Sequence, residues 1–209
     1  MAPTHFYSKD GLQRGAALVT ALVIMLALMV VGVSAARTAL HAEKSARGER
    51  DRTIAFQAAE AALADAERDI EGGQDAASAR AMLFAADNAQ GFAPGCGAAP
   101  NVNVGLCQST QEPADPAWQS AELALPDQQP FHSVEYGQFT GARMPVGRGT
   151  LPQRLPRYII ELMSLARAGD DAAQRTGNFY RITAIGFGAS DHTSVVLQSF
   201  YLKTPQEGA

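Results

Sequence analysis

Proline and charge are both missing from the first part of this chain. No proline lies between residues 4 and 93, and ten of the eleven prolines follow residue 93. The run Ala16 to Ala36 also contains no charged residue. Proline inside a helix costs about 3 kcal/mol, so its absence permits long helices before residue 93. The sequence therefore predicts a helical N-terminal part and a C-terminal part of loops and strands.

Residue patterns that support catalysis or metal binding are absent as well. There is no G-x-S-x-G motif, phosphate-binding loop or dinucleotide fingerprint. Asp191-His192, next to Ser190 and Ser194, is better explained as a hairpin turn than as an acyl-transfer site, because Asp and Ser are turn formers. No two histidines have the spacing of metal ligands; they are His5, His41, His132 and His192. The sequence predicts no enzyme activity, no metal and no cofactor.

The charge distribution gives no reason to expect nucleic-acid binding. The formal net charge is −4, and the basic cluster at residues 44–52 lacks interleaved aromatic side chains. Its acidic and basic residues instead lie at helical pairing distance, as in Glu43 with Arg47 and Arg47 with Asp51. We interpret this cluster as a solvated helix face.

Cysteine is scarce, with only Cys96 and Cys107. They lie in a stretch rich in Gly, Pro and Asn, at the wrong spacing for a zinc pair and without a neighbouring histidine. In an oxidising compartment they would form a disulfide that closes a short loop, worth about 2–3 kcal/mol. Two free thiols are the alternative.

The apolar run Ala16 to Ala36 has the length of a membrane span. At about 1.5 Å per residue it covers about 31 Å, close to the thickness of a bilayer core of about 30 Å. A cleaved signal peptide is the alternative, since Val33-Ser34-Ala35 resembles a cleavage site, but such peptides have apolar cores of only about 7–15 residues. The sequence therefore favours a retained single-span anchor.

The basic residues do not fix the orientation of this span. Lys9 and Arg14 precede it, whereas more Lys and Arg follow it, within residues 37–52. A large C-terminal domain can cross the membrane regardless of charge, and a cysteine pair suits an oxidising compartment. We therefore predict a cytoplasmic N-terminus and a C-terminal domain outside the cytoplasm.

A helical stripe follows the membrane span. Its members recur at spacings of three and four residues, and they are Phe56, Ala59, Leu63, Ala66 and Ile70. Gly72-Gly73 is a typical helix end. The stripe could pair with another chain as a coiled coil, but it holds for only two heptads. Its small alanines favour packing against a sheet of the same chain.

The C-terminal part contains the strand signals. Runs rich in β-branched and aromatic residues predict strands at Tyr158–Met163, Phe179–Phe187 and Val195–Leu202, the last two joined by a hairpin loop at 188–194. A short second helix is predicted over Ala76–Ala89, and 91–150 is predicted to be loops with short strands. The expected fold class is α+β, with a long N-terminal membrane-spanning helix packed on a C-terminal antiparallel β-sheet. Within the second strand, Tyr180, Ile182, Ala184 and Gly186 would face the helix.

The start of the apolar run resembles a type IV prepilin leader. Arg14-Gly15 is followed at once by Ala16-Ala17-Leu18-Val19 and a retained apolar helix. The resemblance implies cleavage by a prepilin peptidase between Gly15 and Ala16, then methylation of the new N-terminus. It gives a leader at 1–15, a transmembrane helix half at 16–36, an amphipathic stalk segment at 37–73 and a periplasmic α+β domain at 74–209.

Two further segments make the resemblance more specific. Asp51-Arg52 with the run 55–63 resembles the stalk helix of PilX-type minor pilins, and the segments 180–184 and 195–201 resemble the last two strands of that family. The resemblance implies assembly with other minor pilins, the major pilin, the inner-membrane assembly machinery and a tip adhesin. It also implies residence in the bacterial inner membrane and then in the pilus fibre.

One residue departs from the usual pilin pattern. Most pilins carry a glutamate at the position that Thr20 occupies here, and its absence is typical of initiating or tip subunits. The resemblance therefore implies a subunit that helps to prime pilus assembly. Two alternatives remain at the level of sequence: a tip pseudopilin of type II secretion, and a single-span periplasmic binding or sensor protein.

Overall fold

The fold combines one long helix with one sheet. The structure, a computed structural model, describes residues 16–85, 88–109, 116–120, 123, 131–163 and 178–203. The predicted leader, with Gly15, lies outside these residues. The helices are α1 (Ala16–Ile70), α2 (Ala79–Met82) and α3 (Ala117–Ser120). The strands are β1 (Leu106–Gln108), β2 (Val134–Glu135), β3 (Arg157–Met163), β4 (Asn178–Phe187) and β5 (Ser194–Lys203).

Helix α1 ends where the glycine pair predicts. Gly72 and Gly73 have φ angles of 115° and 60°, which L-residues with a side chain rarely adopt. The Gly73 N–H donates to the carbonyl of Arg68 at 2.8 Å, and the Gly72 N–H donates to Asp69 at 3.1 Å. These bonds satisfy carbonyls of the last turn, so the helix stops without unpaired backbone groups.

The chain divides into two compact units, residues 1–48 and 49–209. In the first, the described residues belong to α1, and every one of their side chains is exposed. By length and composition α1 contains a stretch able to cross a membrane. The second unit contains the rest of α1 and the sheet.

The sheet has five strands and is mixed. Its order is β1-β3-β4-β5, with β2 pairing on β3 outside this path. The three strands predicted from sequence are present and antiparallel to one another, with Tyr158 opposite Ala184 and Ala184 opposite Leu197. The predicted α+β fold, with a long N-terminal helix and a C-terminal sheet, is confirmed, and the sheet is mixed rather than antiparallel throughout because β1 runs parallel to β3. Parallel strands are joined by a long connection and not by a tight hairpin turn. The irregular segment before β3 therefore contains no turn motif from which the pairing of β1 with β3 could be predicted.

The stalk part of α1 packs on one face of this sheet through small side chains. The buried residues of this contact on α1 are Ala55, Ala58, Ala59, Ala62, Ala66 and Ile70. Tyr180, Ile182 and Ala184 face them from β4, as predicted, and all three are fully buried. At Gly186 a methyl group would lie 2.1 Å from the Ala55 carbonyl oxygen, so only glycine permits this approach.

One member of the predicted stripe lies elsewhere. Phe56 is 42% exposed, and Leu63 is only partly buried against the core. Ala55 occupies the inward position instead, directly against Gly186. A phenylalanine at the contact line would force helix and sheet apart, so the buried line runs through the neighbouring alanines. Of the predicted stripe, Ala59, Ala66 and Ile70 are fully buried on the side of α1 that meets the sheet of the same chain.

The other face of the sheet is also partly covered. A smaller buried cluster lies there, formed by Cys96, Cys107, Ala117, Leu123, Ile159, Ile185 and Phe187. It brings the cysteine loop and α3 against β3 and β4. The sheet therefore lies between the stalk helix and this loop layer, which adds a core on each face.

Helix α2 is shorter than the predicted span Ala76–Ala89. Ser78 starts it by accepting the Ala81 N–H at 3.1 Å. After Met82 the backbone bonds shorten to three-residue turns, from Phe84 to Ala81 and from Ala85 to Met82. These turns bring Phe84 into the core, where its ring lies 5.8 Å from that of Tyr180. Core packing of Phe84 thus ends the regular helix early.

Candidate functional site

The first candidate site is the uncharged surface of α1 over residues 16–36. Thr20 adds no unpaired polar group to this surface, because its hydroxyl donates to the carbonyls of Ala16 at 3.1 Å and Ala17 at 3.0 Å. The polar group is therefore satisfied within its own helix. Gly32 has no neighbour within 4 Å of where a methyl group would lie, so the helix is open there to close approach by another helix. The arrangement suits contact with lipid or with neighbouring helices.

Three aspartates of α1 attach the stalk to separate parts of the C-terminal fold. Asp51 is the first, and it holds the turn between β4 and β5. Its Oδ1 accepts the N–H groups of Ala189 at 2.5 Å and Ser190 at 3.2 Å. The absence of a side chain at Gly188 allows this close approach, because a methyl group at that residue would lie 2.4 Å from Asp51 Oδ1. A carboxylate that accepts two backbone N–H groups fixes the turn against the helix.

This turn contains the residues Ser190, Asp191 and His192, which sequence reasoning assigned to a hairpin. The Ser190 hydroxyl oxygen accepts the His192 N–H at 3.4 Å, and His192 is exposed. The loop closes through the Gly188 N–H, which donates to the Thr193 carbonyl at 2.8 Å. The hairpin interpretation is confirmed.

Asp65 is the second attachment and is fully buried. Its Oδ2 accepts the Gly137 N–H at 2.7 Å, and its Oδ1 accepts the Thr140 hydroxyl. Arg68, one turn further along α1, lies 3.5 Å from the same carboxylate. Asp65 thereby orders the loop after β2 against the helix.

Asp69 is the third attachment and carries a buried ion pair. Arg80 Nη2 lies 2.7 Å from Asp69 Oδ2, and the Tyr158 hydroxyl donates to the same oxygen at 3.1 Å. Arg80 Nη1 also donates to the carbonyls of Val102 and Val104 at 2.8 and 2.9 Å. Burial raises the pKa of Tyr158 well above its usual value, and the Asp69 charge raises it further. The phenol therefore stays a hydrogen-bond donor at neutral pH.

Sequence reasoning missed Asp65, Asp69 and Arg80. The aspartates follow the buried alanines at helical spacing, three residues after Ala62 and three after Ala66, so their positions on the inner face could have been recognised. Arg80 carried no such signal, because its partners are eleven or more residues away along the chain.

The cysteines form a disulfide between Cys96 and Cys107, as predicted for an oxidising compartment. Both are buried, and the loop they close lies over β3 and β4. His132 Nδ1 lies 3.1 Å from the Cys96 carbonyl oxygen. Within the described ranges no group of three His, Cys, Asp or Glu side chains could hold a metal ion. Cys96 and Cys107 pack with Ile159, Ile185 and Phe187 in one buried cluster.

Comparison with protein families gives two matches. Residues 14–64 match the model described as PilX N-terminal, and residues 103–203 match the type IV pilus assembly protein PilX C-terminal model. The first includes the apolar half of α1 and Asp51; the second includes all five strands. No curated protein and no solved structure is significantly similar to the chain.

The two matches describe the beginning and the end of one protein type, and the order along this chain agrees with it. An apolar helix that could span a membrane and an α+β domain with a mixed sheet agree with the same type. The chain belongs to the PilX family of type IV pilus assembly proteins, which are structural components of the pilus.

Proposed function

We propose that this protein is a minor pilin that helps to prime type IV pilus assembly and is incorporated at or near the filament tip. The family match supports the general role in pilus assembly. The observation that carries the finer proposal is Thr20, whose hydroxyl bonds to its own helix and leaves no charge on this surface. A carboxylate at this depth of a bilayer is costly without a partner. A subunit that meets no earlier subunit is therefore better served by threonine.

Before assembly, the chain would reside in the inner membrane. A prepilin peptidase would remove residues 1–15 by cutting between Gly15 and Ala16, and residues 16–36 would remain as the single span. The stalk segment 37–73 and the domain 74–209 would lie in the periplasm, where the Cys96–Cys107 disulfide is chemically favoured. After extraction, the uncharged surface of α1 would pack against helices of neighbouring subunits.

The proposed partners follow from this placement. Other minor pilins and the major pilin would contact α1, and the inner-membrane assembly machinery would receive the complex. A tip adhesin is a further proposed partner. Asp51, Asp65 and Asp69 hold the C-terminal fold on α1 at three separate points. The family match favours a pilus subunit over a type II secretion pseudopilin or a single-span sensor.

The priming role is tested by deleting the gene and restoring it with variants of Thr20. We expect deletion of the gene to remove most surface pili. Reintroducing the wild-type gene, or the Thr20→Val variant, should restore the pili. Thr20→Glu should restore few, because the carboxylate has no partner in the membrane. Immunogold labelling of the C-terminal domain should mark one filament end. Unchanged piliation after deletion, or label along the whole shaft, would contradict the proposal.

The processing site is tested separately by mass spectrometry of the membrane-extracted protein. We expect a chain that starts at Ala16 with one additional methyl group. A Gly15→Leu variant should keep residues 1–15. An unprocessed wild-type chain would support a plain anchor, and a start near residue 36 would support a secretory signal.

A further inference from the structure

The stalk helix and the disulfide loop, residues 96–107, meet at Arg80. Arg80 Nη1 donates to two carbonyl oxygens within this loop, that of Val102 at 2.8 Å and that of Val104 at 2.9 Å. The same guanidinium binds Asp69 in the last turn of α1, with Nε 3.1 Å from Oδ1 and Nη2 2.7 Å from Oδ2. One side chain therefore connects the disulfide loop to the end of the stalk.

Burial makes the two loop carbonyls important to the ion pair. The side chains of Arg80 and Asp69 are only 5% and 0% exposed. A buried ion pair stabilises a fold only when further hydrogen bonds satisfy the polar groups that the pair itself leaves over. The carbonyls of Val102 and Val104 do this for Nη1. The strength of the ion pair therefore depends on where the disulfide loop holds these two carbonyls.

The disulfide lies next to the backbone hydrogen bonds that shape this loop. The Gly97 N–H donates to the Leu106 carbonyl at 3.0 Å, and the Gly105 N–H donates to the Gly97 carbonyl at 3.0 Å. These bonds and the S–S bond hold together the same two ends of the loop. Opening the S–S bond removes a covalent constraint, so the loop gains conformations in which its carbonyls are not aligned with Arg80.

We propose that the Cys96–Cys107 disulfide is a redox switch that sets how firmly the end of the stalk is attached to the C-terminal fold through Arg80. Closing the switch breaks two S–H bonds and forms one S–S bond. Two electrons and two protons pass to the disulfide of a thiol–disulfide oxidoreductase, which leaves as a dithiol. Oxidation holds the loop carbonyls in place and so strengthens the Arg80–Asp69 pair. By linkage, the ion pair favours the oxidised state by the same factor.

This inference goes beyond the priming role. An oxidising compartment closes the switch, so the attachment of the stalk would become firm only after the domain has arrived there. That timing rests on the proposed periplasmic location. The coupling between the disulfide and the ion pair does not, and it can be measured on the purified chain. A failure of the coupling is therefore distinct from a failure of the priming role.

The test measures the equilibrium between disulfide and dithiol in the full chain, in detergent micelles and buffers of reduced and oxidised dithiothreitol. Once the ratio is constant, thiol alkylation and mass spectrometry count the oxidised and reduced chains. In Arg80→Met the equilibrium constant for disulfide formation should fall at least about fivefold, the lower end of typical coupling between sites. Asp69→Leu with Arg80→Met should show the same fall, and it leaves no unpaired charge buried that could unfold the chain.

Asp51→Ala is the matched control. Asp51 also attaches α1 to the C-terminal fold, but its partners are the N–H groups of Ala189 and Ser190. This variant loosens the stalk without removing a contact of Arg80 or of the disulfide loop. The equilibrium constant for disulfide formation should therefore stay within about twofold of the wild-type value, because sites without shared partners are usually additive.

Two results would overturn the proposal. One is an unchanged equilibrium constant in both variants that lack Arg80, which would make the disulfide and the ion pair independent. The other is an equal fall of the equilibrium constant in Asp51→Ala, which would show a general loosening of the fold and no specific coupling through Arg80.

Discussion

Arg80 and Asp69 form an ion pair inside the fold, with 2.7 Å between Nη2 and Oδ2 and side-chain exposures of 5% and 0%. Asp69 belongs to the last turn of α1, and Arg80 belongs to the short helix after it. Arg80 also donates to the carbonyls of Val102 and Val104, and the Tyr158 hydroxyl of β3 donates to Asp69. The pair thus connects the stalk, the irregular segment and the sheet at one point.

Removing one member of this pair should be costly. Asp69→Ala leaves the Arg80 charge buried without its partner, and we expect a loss of about 3–5 kcal/mol in the free energy of unfolding. The double variant Asp69→Leu with Arg80→Met should recover a large part of that loss, because no charge then remains buried. Denaturant unfolding of the full chain in detergent, followed by near-ultraviolet circular dichroism, measures both.

The exposed pair Glu43–Arg47 is the control, with side-chain exposures of 56% and 79%. Glu43→Ala should change the free energy of unfolding by less than about 0.5 kcal/mol, as is usual for solvated helix pairs. Equal losses of unfolding free energy for Glu43→Ala and Asp69→Ala would contradict the prediction that a buried ion pair matters more to stability than an exposed one.

Gly186 sets the distance between helix and sheet. A methyl group there would lie 2.1 Å from the Ala55 carbonyl oxygen and 2.3 Å from the Ala59 nitrogen. These are backbone atoms, which cannot move aside as a side chain can. Gly186→Ala should therefore lower the free energy of unfolding by about 1–3 kcal/mol, the usual range for overpacking. Gly48→Ala is the matched control. No atom lies within 4 Å of a methyl group at Gly48, which is inside α1, so this change should stabilise by about 0.5–1 kcal/mol.

The disulfide should contribute to stability through its loop. Cys96 and Cys107 are 11 residues apart. A disulfide that closes a loop of this size restricts the unfolded chain and so raises the free energy of unfolding by about 2–3 kcal/mol. Cys96→Ala, Cys107→Ala and the double variant should all lose a similar amount, since each removes the bridge. A double variant as stable as the unmodified chain would sink this prediction. Gel mobility with and without reductant, after thiol blocking, confirms the bridge itself.

Tyr201 should give a specific signal at high pH. Its hydroxyl donates to Glu71, and this bond, with smaller contributions from burial and the charges of Glu71 and Glu67, raises the pKa of Tyr201 to about 12. Because the folded pKa lies above the ordinary value of 10.0, the bond contributes stability that is complete below pH 10 and lost as the pH rises toward 12. Absorbance of phenolate against pH should show this step in the unmodified chain and not in Tyr201→Phe. Glu71→Gln should move the step to lower pH.

Much of the fold could be predicted from local sequence. The apolar run, the glycine pair after α1 and the alternating strands depend on residues close together in the chain, so their periodicity is visible directly. The same is true of the disulfide, since Cys96 and Cys107 lie within one loop. The predicted strands Tyr158–Met163, Phe179–Phe187 and Val195–Leu202 agree with the observed ones within one residue at each end.

The remaining features depend on distant contacts. Phe56 fits the helical spacing as well as Ala55 does, and only the close approach of Gly186 decides which of the two lies inward. Asp65 and Asp69 are charged residues that become buried because the Gly137 N–H and the Arg80 side chain reach them. The parallel pairing of β1 with β3 likewise joins segments about 50 residues apart, Leu106 with Ile160.

The sequence by itself determined a chain with one apolar helix long enough to cross a membrane, a small-residue stripe after it, and a strand-rich end. Each of these follows from the spacing of residues along a regular backbone. Only the tertiary structure decided which helix residues meet the sheet, how buried charges are paired, and in which order the strands lie in the sheet. Those outcomes depend on the fit between side chains far apart in the chain, and periodicity carries no information about that fit.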